Sequence, residues 1–90
     1  MGHTIREKAK LLARVRRLKG QMEAVERSLD AEAPCGEVLQ LLASIRGALA
    51  GLTHEVMEDH LHEHVVHAAD DAEREKAAAE LAEALRTYIR

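Results

Sequence analysis

Two apolar stripes constrain this chain before anything else. Leu11, Val15, Leu18, Met22, Val25 and Leu29 recur in alternating steps of four and three, and Val38, Leu42, Ile45, Leu49, Leu52 and Val56 repeat the pattern. That spacing runs one apolar seam along an α-helix and does not suit a strand, whose faces alternate every second residue. The first stripe predicts a helix from about Ile5 to Asp30, opened by Thr4 and Glu7 as a capping box. Gly20 falls inside it at roughly 1 kcal/mol against Ala, a cost that close packing would explain. Ala31 to Ala33 form a short connection, and Pro34 suits the first position of a second helix that continues to about His67. Leu39 and Leu41 widen the second stripe. Gly47 and Gly51, four apart, leave room for another backbone. Asp70 with Glu73 caps a third helix marked by Leu81, Leu85 and Tyr88.

Composition supports the helical reading. Aromatic residues are 1% of the chain, a single Tyr with no Phe or Trp, whereas sheet cores lean on aromatic and β-branched side chains. The expectation is an all-α, three-helix protomer forming one domain over residues 1–90. Two long helices joined by a tight turn make an antiparallel hairpin, and a short third helix cannot cover its broad apolar face. Dimerisation into a four-helix bundle is the expected remedy. With 90 residues, no disulfide and almost no aromatics, a lone copy has little core to rely on. Cys35 is the only cysteine, which excludes an intrachain disulfide and fits a reducing, cytoplasmic setting. No apolar run is expected to span a membrane, and the charged start is not a signal peptide. A helical oligomerisation module without chemistry stays open on these features alone.

Charge is divided unevenly along the chain. The formal net charge is −3, yet residues 1–19 carry Arg6, Lys8, Lys10, Arg14, Arg16, Arg17 and Lys19 against Glu7 alone, a net +6. The other six basic and fifteen acidic residues net −9. On a helix Arg6, Lys10, Arg14 and Arg17 fall within an arc of roughly 80°, while Lys8, Arg16 and Lys19 lie on the other flank of the stripe. A solvated face is the bland alternative. In an otherwise acidic chain this segment favours phosphate binding, with Lys8, Lys10, Arg14, Arg16, Arg17 and Lys19 as the candidate DNA contacts. Arg46 is a weaker candidate. Few side chains suit base-edge readout, so DNA shape is expected to matter.

Five of the six histidines lie between His54 and His67. His60 and His64 are four apart, within chelating reach on one helix face, with Glu63 beside them and His62 and His67 on different sides. The pair is no zinc-peptidase motif, because Leu61 stands where a general-base Glu would follow His60. Cys35 at the start of the second helix is placed to favour a thiolate. On one straight helix Cys35 and His60 are about 38 Å apart and cannot share a metal. In an antiparallel dimer, Cys35 of one subunit can meet His60 and His64 of the other. His3 precedes the first helix. Gly2 is small enough that removal of Met1 is expected, which adds an amine nitrogen; if Met1 stays, Met1-Gly2-His3 is an alternative copper or nickel chelate. No nucleophile, catalytic acid pair or cofactor loop suggests an enzyme.

Several segments together resemble the CsoR/RcnR family of bacterial repressors. They are His3-Thr4-Ile5-Arg6, the run Arg14-Val15-Arg16-Arg17-Leu18-Lys19-Gly20-Gln21, Cys35, Ser44-Ile45-Arg46-Gly47-Ala48, and His60-Leu61-His62-Glu63-His64-Val65-Val66-His67. The resemblance implies an all-helical dimer of dimers that binds operator DNA without a helix-turn-helix and releases it on effector binding. The set His3, Cys35, His60 and His64 resembles the nickel/cobalt-sensing branch; copper(I) sensors instead carry Cys, His and Cys. Replacing a thiolate by imidazole moves a site toward nickel, cobalt or zinc. The Gly2 amine or Glu63 would raise the coordination number and favour nickel or cobalt over tetrahedral zinc. The formaldehyde-sensing branch also resembles this chain at Cys35 and His60, but typically has Pro at the second residue and lacks counterparts of His3 and His64. The expected function is a metal-responsive repressor of metal efflux or resistance genes. A metal-binding module without DNA affinity is the remaining alternative.

Overall fold

The computed structural model describes residues 7–89, and every regular element among them is helical. Helix α1 spans Lys8–Asp30 and α2 spans Cys35–Leu61; a π-helical turn follows at His62–Val66, and α3 spans Asp71–Ile89. Glu7 is the N-cap of α1, with its carbonyl accepting from the Leu11 N–H at 2.9 Å and no side-chain cap bond. Thr4 and Ile5, and with them the expected capping box, lie outside the described residues.

The turn from α1 to α2 carries a device the sequence did not advertise. Ala33 N–H donates to the Ser28 carbonyl (2.9 Å) and Glu32 N–H to the Leu29 carbonyl (3.1 Å), with Glu32 at φ 56°. These are the nested bonds of a Schellman motif, which normally takes glycine at the left-handed position. The Pro34 carbonyl then accepts from Glu37 (2.9 Å) and Val38 (3.4 Å). Pro34 therefore caps α2 from outside, one residue before the position the spacing suggested. Its missing N–H costs no hydrogen bond there.

Glu7–Thr53 forms one compact unit. Gln21 Nε2 donates to Ser44 Oγ at 3.3 Å, and the Arg14 guanidinium lies 3.5 Å from where a Cβ on Gly51 would stand. In both contacts the residue numbers total 65, the register of an antiparallel hairpin. Val25 is the buried side chain of α1. Val15, Met22 and Leu29 from the first stripe, with Leu42, Leu49 and Val56 from the second, are 38–61% exposed. The seam exists, and one chain does not cover it. Close packing does not account for Gly20 within the chain, since nothing approaches its Cβ position within 4 Å; Gly47 is equally open.

The uncovered helix corrects one expectation. Cys35–Val66 is 32 residues long and contains a window of mean hydropathy 1.2, long and apolar enough to cross a membrane by length and composition. The wide stripe of Leu, Ile and Val and the intervening Ala residues raise the mean.

Residues 54–89 form the second unit. Asp70 caps α3 as predicted: its Oδ1 accepts from the Glu73 N–H at 2.8 Å, and its carbonyl accepts from Arg74 at 3.1 Å. Glu73 reaches back one residue further than a capping box requires, taking the Ala69 N–H on Oε1 at 2.7 Å. Helix α3 runs antiparallel to the end of α2, with the His54 and Tyr88 rings 6.1 Å apart and Ala77 buried. The π turn closes with His67 N–H on the His62 carbonyl at 3.0 Å. That i to i+5 winding brings the His62 and His67 rings edge-on at 4.5 Å. An α-helix would hold these two histidines on different sides, as their spacing implies.

Candidate metal centre and basic face

His60 lies in the last turn of α2 and His64 one turn on, inside the π segment; their ring centroids are 5.4 Å apart. Both rings are half-buried and face α3. His60 Nε2 is 3.1 Å from the Ala77 carbonyl and 3.5 Å from Glu80 Oε1. A carbonyl only accepts, so Nε2 carries the proton and the lone pair of a neutral ring sits on Nδ1. His64 is arranged the opposite way. Its Nδ1 donates to Glu73 Oε2 at 2.9 Å, which puts the lone pair on Nε2. Glu73 is held below the usual carboxylate range, first by this bond to His64 and then by the Ala69 N–H, which outweigh partial desolvation.

A shallow recess lined by His60, His64, Glu73, Lys76, Ala77 and Glu80 encloses the pair. Glu73 and Glu80 were not singled out for it from the sequence, where Glu73 figured only as a cap. Their spacing of seven with Ala77 between places all three on one face of α3, which was the available signal.

Other expected ligands lie elsewhere. Cys35 is an exposed free thiol at the first residue of α2, while His60 is the last residue but one of the same helix. Glu63 is half-buried and does not line the recess. Gly2 and His3 lie outside the described residues. Among the described residues, no three His, Cys, Asp or Glu side chains are arranged to hold a metal. The donors fit a borderline metal in kind: two imidazoles with assigned lone pairs and an accessible thiol suit nickel, cobalt or zinc. In number, one chain's described residues fall short.

The basic face is formed by α1. Lys8, Lys10, Arg14, Arg16, Arg17 and Lys19 are all exposed, as is Arg46 on α2. Arg6 lies outside the described residues. Arg14 and Arg17 line a groove between α1 and α2 whose other wall includes Ser44, Gly47 and Gly51. Gln21 lies in the same groove, its Nε2 bound to Ser44 and its Oε1 buried without a hydrogen-bond partner.

Fold and site together describe an all-helical protein with a cationic first helix and thiol and imidazole donors. Residues 7–87 match the family model described as metal-sensitive transcriptional repressor. The transcriptional repressor RcnR of Salmonella typhimurium (strain LT2) is 46% identical over 90 residues, covering all of both chains. The RcnR homolog of Escherichia coli O139:H28 is 44% identical over the same span. Among solved structures, a Glu-to-His variant of the formaldehyde-responsive regulator FrmR from Salmonella enterica serovar Typhimurium superposes with a TM-score of 0.85. It is 42% identical, with 92% of this chain and 94% of that one covered. The nickel-responsive transcriptional regulator InrS gives 0.73 at 35% identity, covering 89% and 90%. This chain belongs to the metal-sensitive transcriptional repressor family, the CsoR/RcnR repressors. It is a regulator of transcription and not an enzyme.

Proposed function

We propose that this protein is a cytoplasmic nickel- or cobalt-responsive repressor that holds operator DNA in its apo form and releases it on binding the metal, derepressing efflux or resistance genes. The observation that carries this reading is the His60–His64 pair, half-buried and with complementary lone pairs, in a chain whose one thiol is at the far end of the same helix. Two imidazoles cannot complete a sensor site. Cys35 from a second copy, with His3, the Gly2 amine and, as a further candidate, Glu63, would supply the rest. Similarity to the nickel-responsive regulator InrS supports nickel.

The exposed seam supports assembly into a four-helix dimer and a dimer of dimers, because uncovered Leu and Val of this extent destabilise a lone chain. Such an assembly repeats Lys8, Lys10, Arg14, Arg16, Arg17 and Lys19 symmetrically along a DNA duplex. His3 precedes α1 in the sequence, so its capture with Cys35, His60 and His64 would draw the amino-terminal segment away from the DNA-binding arrangement. Linkage requires DNA to weaken metal binding by the same factor, commonly about 1–3 kcal/mol.

A second reading has one observation in its favour, the likeness to the FrmR variant, since a Gly2 amine and the Cys35 thiol could condense with formaldehyde. A mobility-shift titration on the gene's own upstream DNA separates the two. Release by nickel or cobalt and not by formaldehyde supports the metal reading; release by formaldehyde alone contradicts it.

A further inference from the structure

We propose that Glu73 is a positioning residue for His64: its carboxylate holds the imidazole in the tautomer that presents Nε2 and ties that choice to the start of α3. The functional consequence rests on the reading of His64 as an effector ligand; the tautomer does not.

Glu73 is itself held in place without help from His64. Its Oε1 takes the Ala69 N–H at 2.7 Å, a bond that involves neither the imidazole nor the Asp70 cap. The remaining oxygen, Oε2, therefore points where the fold of the helix start directs it, and there it meets His64 Nδ1 at 2.9 Å. An ionised carboxylate can only accept, so the proton stays on Nδ1 and the lone pair on Nε2. The neighbouring His60 donates through Nε2 to Ala77, so α3 imposes opposite tautomers on two rings one turn apart. Both assignments come from α3, and neither is available to the α2 segment alone. A partner of this kind orients a ligating imidazole and raises its basicity, and its loss commonly lowers metal affinity about 10–100-fold. Because the same carboxylate closes the Ala69 turn, the ligand and the entry to α3 move as one element. Occupancy at His64 should thus be read out at the Ala69 amide as well.

The test uses the full-length protein, labelled with nitrogen-15 and metal-free, at pH about 8.5, two units above the ordinary imidazole value. Long-range proton–nitrogen correlation reports which His64 nitrogen is protonated. The parent should show protonated Nδ1, and Glu73→Ala should lose it. Asp70→Ala removes the helix cap but leaves both carboxylate bonds of Glu73, to Ala69 and to His64, in place and should keep it. Nickel affinity, by competition with a chromophoric chelator, should fall about 10–100-fold in Glu73→Ala and stay at the parent level in Asp70→Ala. A parent ring protonated on Nε2, or an unchanged tautomer in Glu73→Ala, overturns the proposal. So does an equal loss of affinity in Asp70→Ala, which would mean that α3 acts only through its folding. His64→Ala keeps the two readings apart. Undiminished nickel affinity there removes His64 from the ligand set, while the spectra still decide what Glu73 does.

Discussion

The two ends of α2 face different problems. From Cys35 to Thr53 it pairs with α1 across an apolar stripe, with the Gln21–Ser44 bond as a side-chain crosslink and Leu39, Leu42 and Leu49 left 43–60% exposed. Beyond Thr53 its side chains meet α3 through directed polar contacts: His60 to Ala77 and Glu80, and His64 to Glu73. Apolar stripes are non-directional and accept a second copy as readily as another part of the chain. Hydrogen bonds to particular nitrogens fix geometry. On the proposed function, one half would assemble and the other would orient metal ligands.

The sharpest way to break this contrast is to charge the stripe. A Leu42→Glu, Leu49→Glu double variant should leave the His60–His64 region folded but remove the assembly. Losing even one leucine per subunit from a twofold interface forfeits about 3 kcal/mol, roughly a 100-fold rise in dissociation constant. Sedimentation equilibrium would report it, and an unchanged oligomer would show that the stripe is not the seam. Next in size, Arg14→Ala with Arg17→Ala should weaken operator binding and flatten its salt dependence. The logarithmic slope should drop by about 0.9 for every phosphate these arginines neutralise in the parent. Nickel affinity of the free protein should not change.

Asp70→Ala should destabilise the α3 half by about 1 kcal/mol, the usual value of an N-cap, with the hairpin unaffected. Glu73 adds a pH dependence to that half. Its folded-state acidity is strengthened, so its contribution is complete above the ordinary value of 4.5 and is lost as pH falls through the lower folded value. Glu73→Ala should remove that acid sensitivity, as followed by circular dichroism. Smallest of all, Glu32→Gly should stabilise the hairpin by up to about 1 kcal/mol, because glycine accepts φ 56° without the Cβ clash. No gain in melting temperature would mean that the turn relaxes.

What could be read in advance follows the same division. The stripes and the Asp70–Glu73 cap are local signals, and helix spans, hairpin and cap followed from them. The α1–α2 turn was missed in detail because Glu32 occupies a place where only glycine would have announced a left-handed residue. The π turn left no mark in the sequence, since the extra residue per turn is a matter of backbone winding; hence His62 and His67 were assigned to different sides and are in fact neighbours. His60 and His64 were legible as a pair because four-residue spacing suffices. Their partners Ala77, Glu80 and Glu73 are tertiary, and become visible only once α3 is laid against α2.

The proposal that a sensor site is shared between subunits can be tested by mixing two defective chains. Cys35→Ser and His64→Ala proteins each lack one donor, so neither homodimer has an intact site. Unfolded together and refolded, they form heterodimers in which the first chain's His60 and His64 can meet the second chain's Cys35. Calorimetric titration with nickel should then recover tight binding at one site per heterodimer, absent from either protein alone. No recovery in a mixture shown to contain heterodimers would mean that Cys35 does not complete the His60–His64 site across subunits, and would contradict the shared centre.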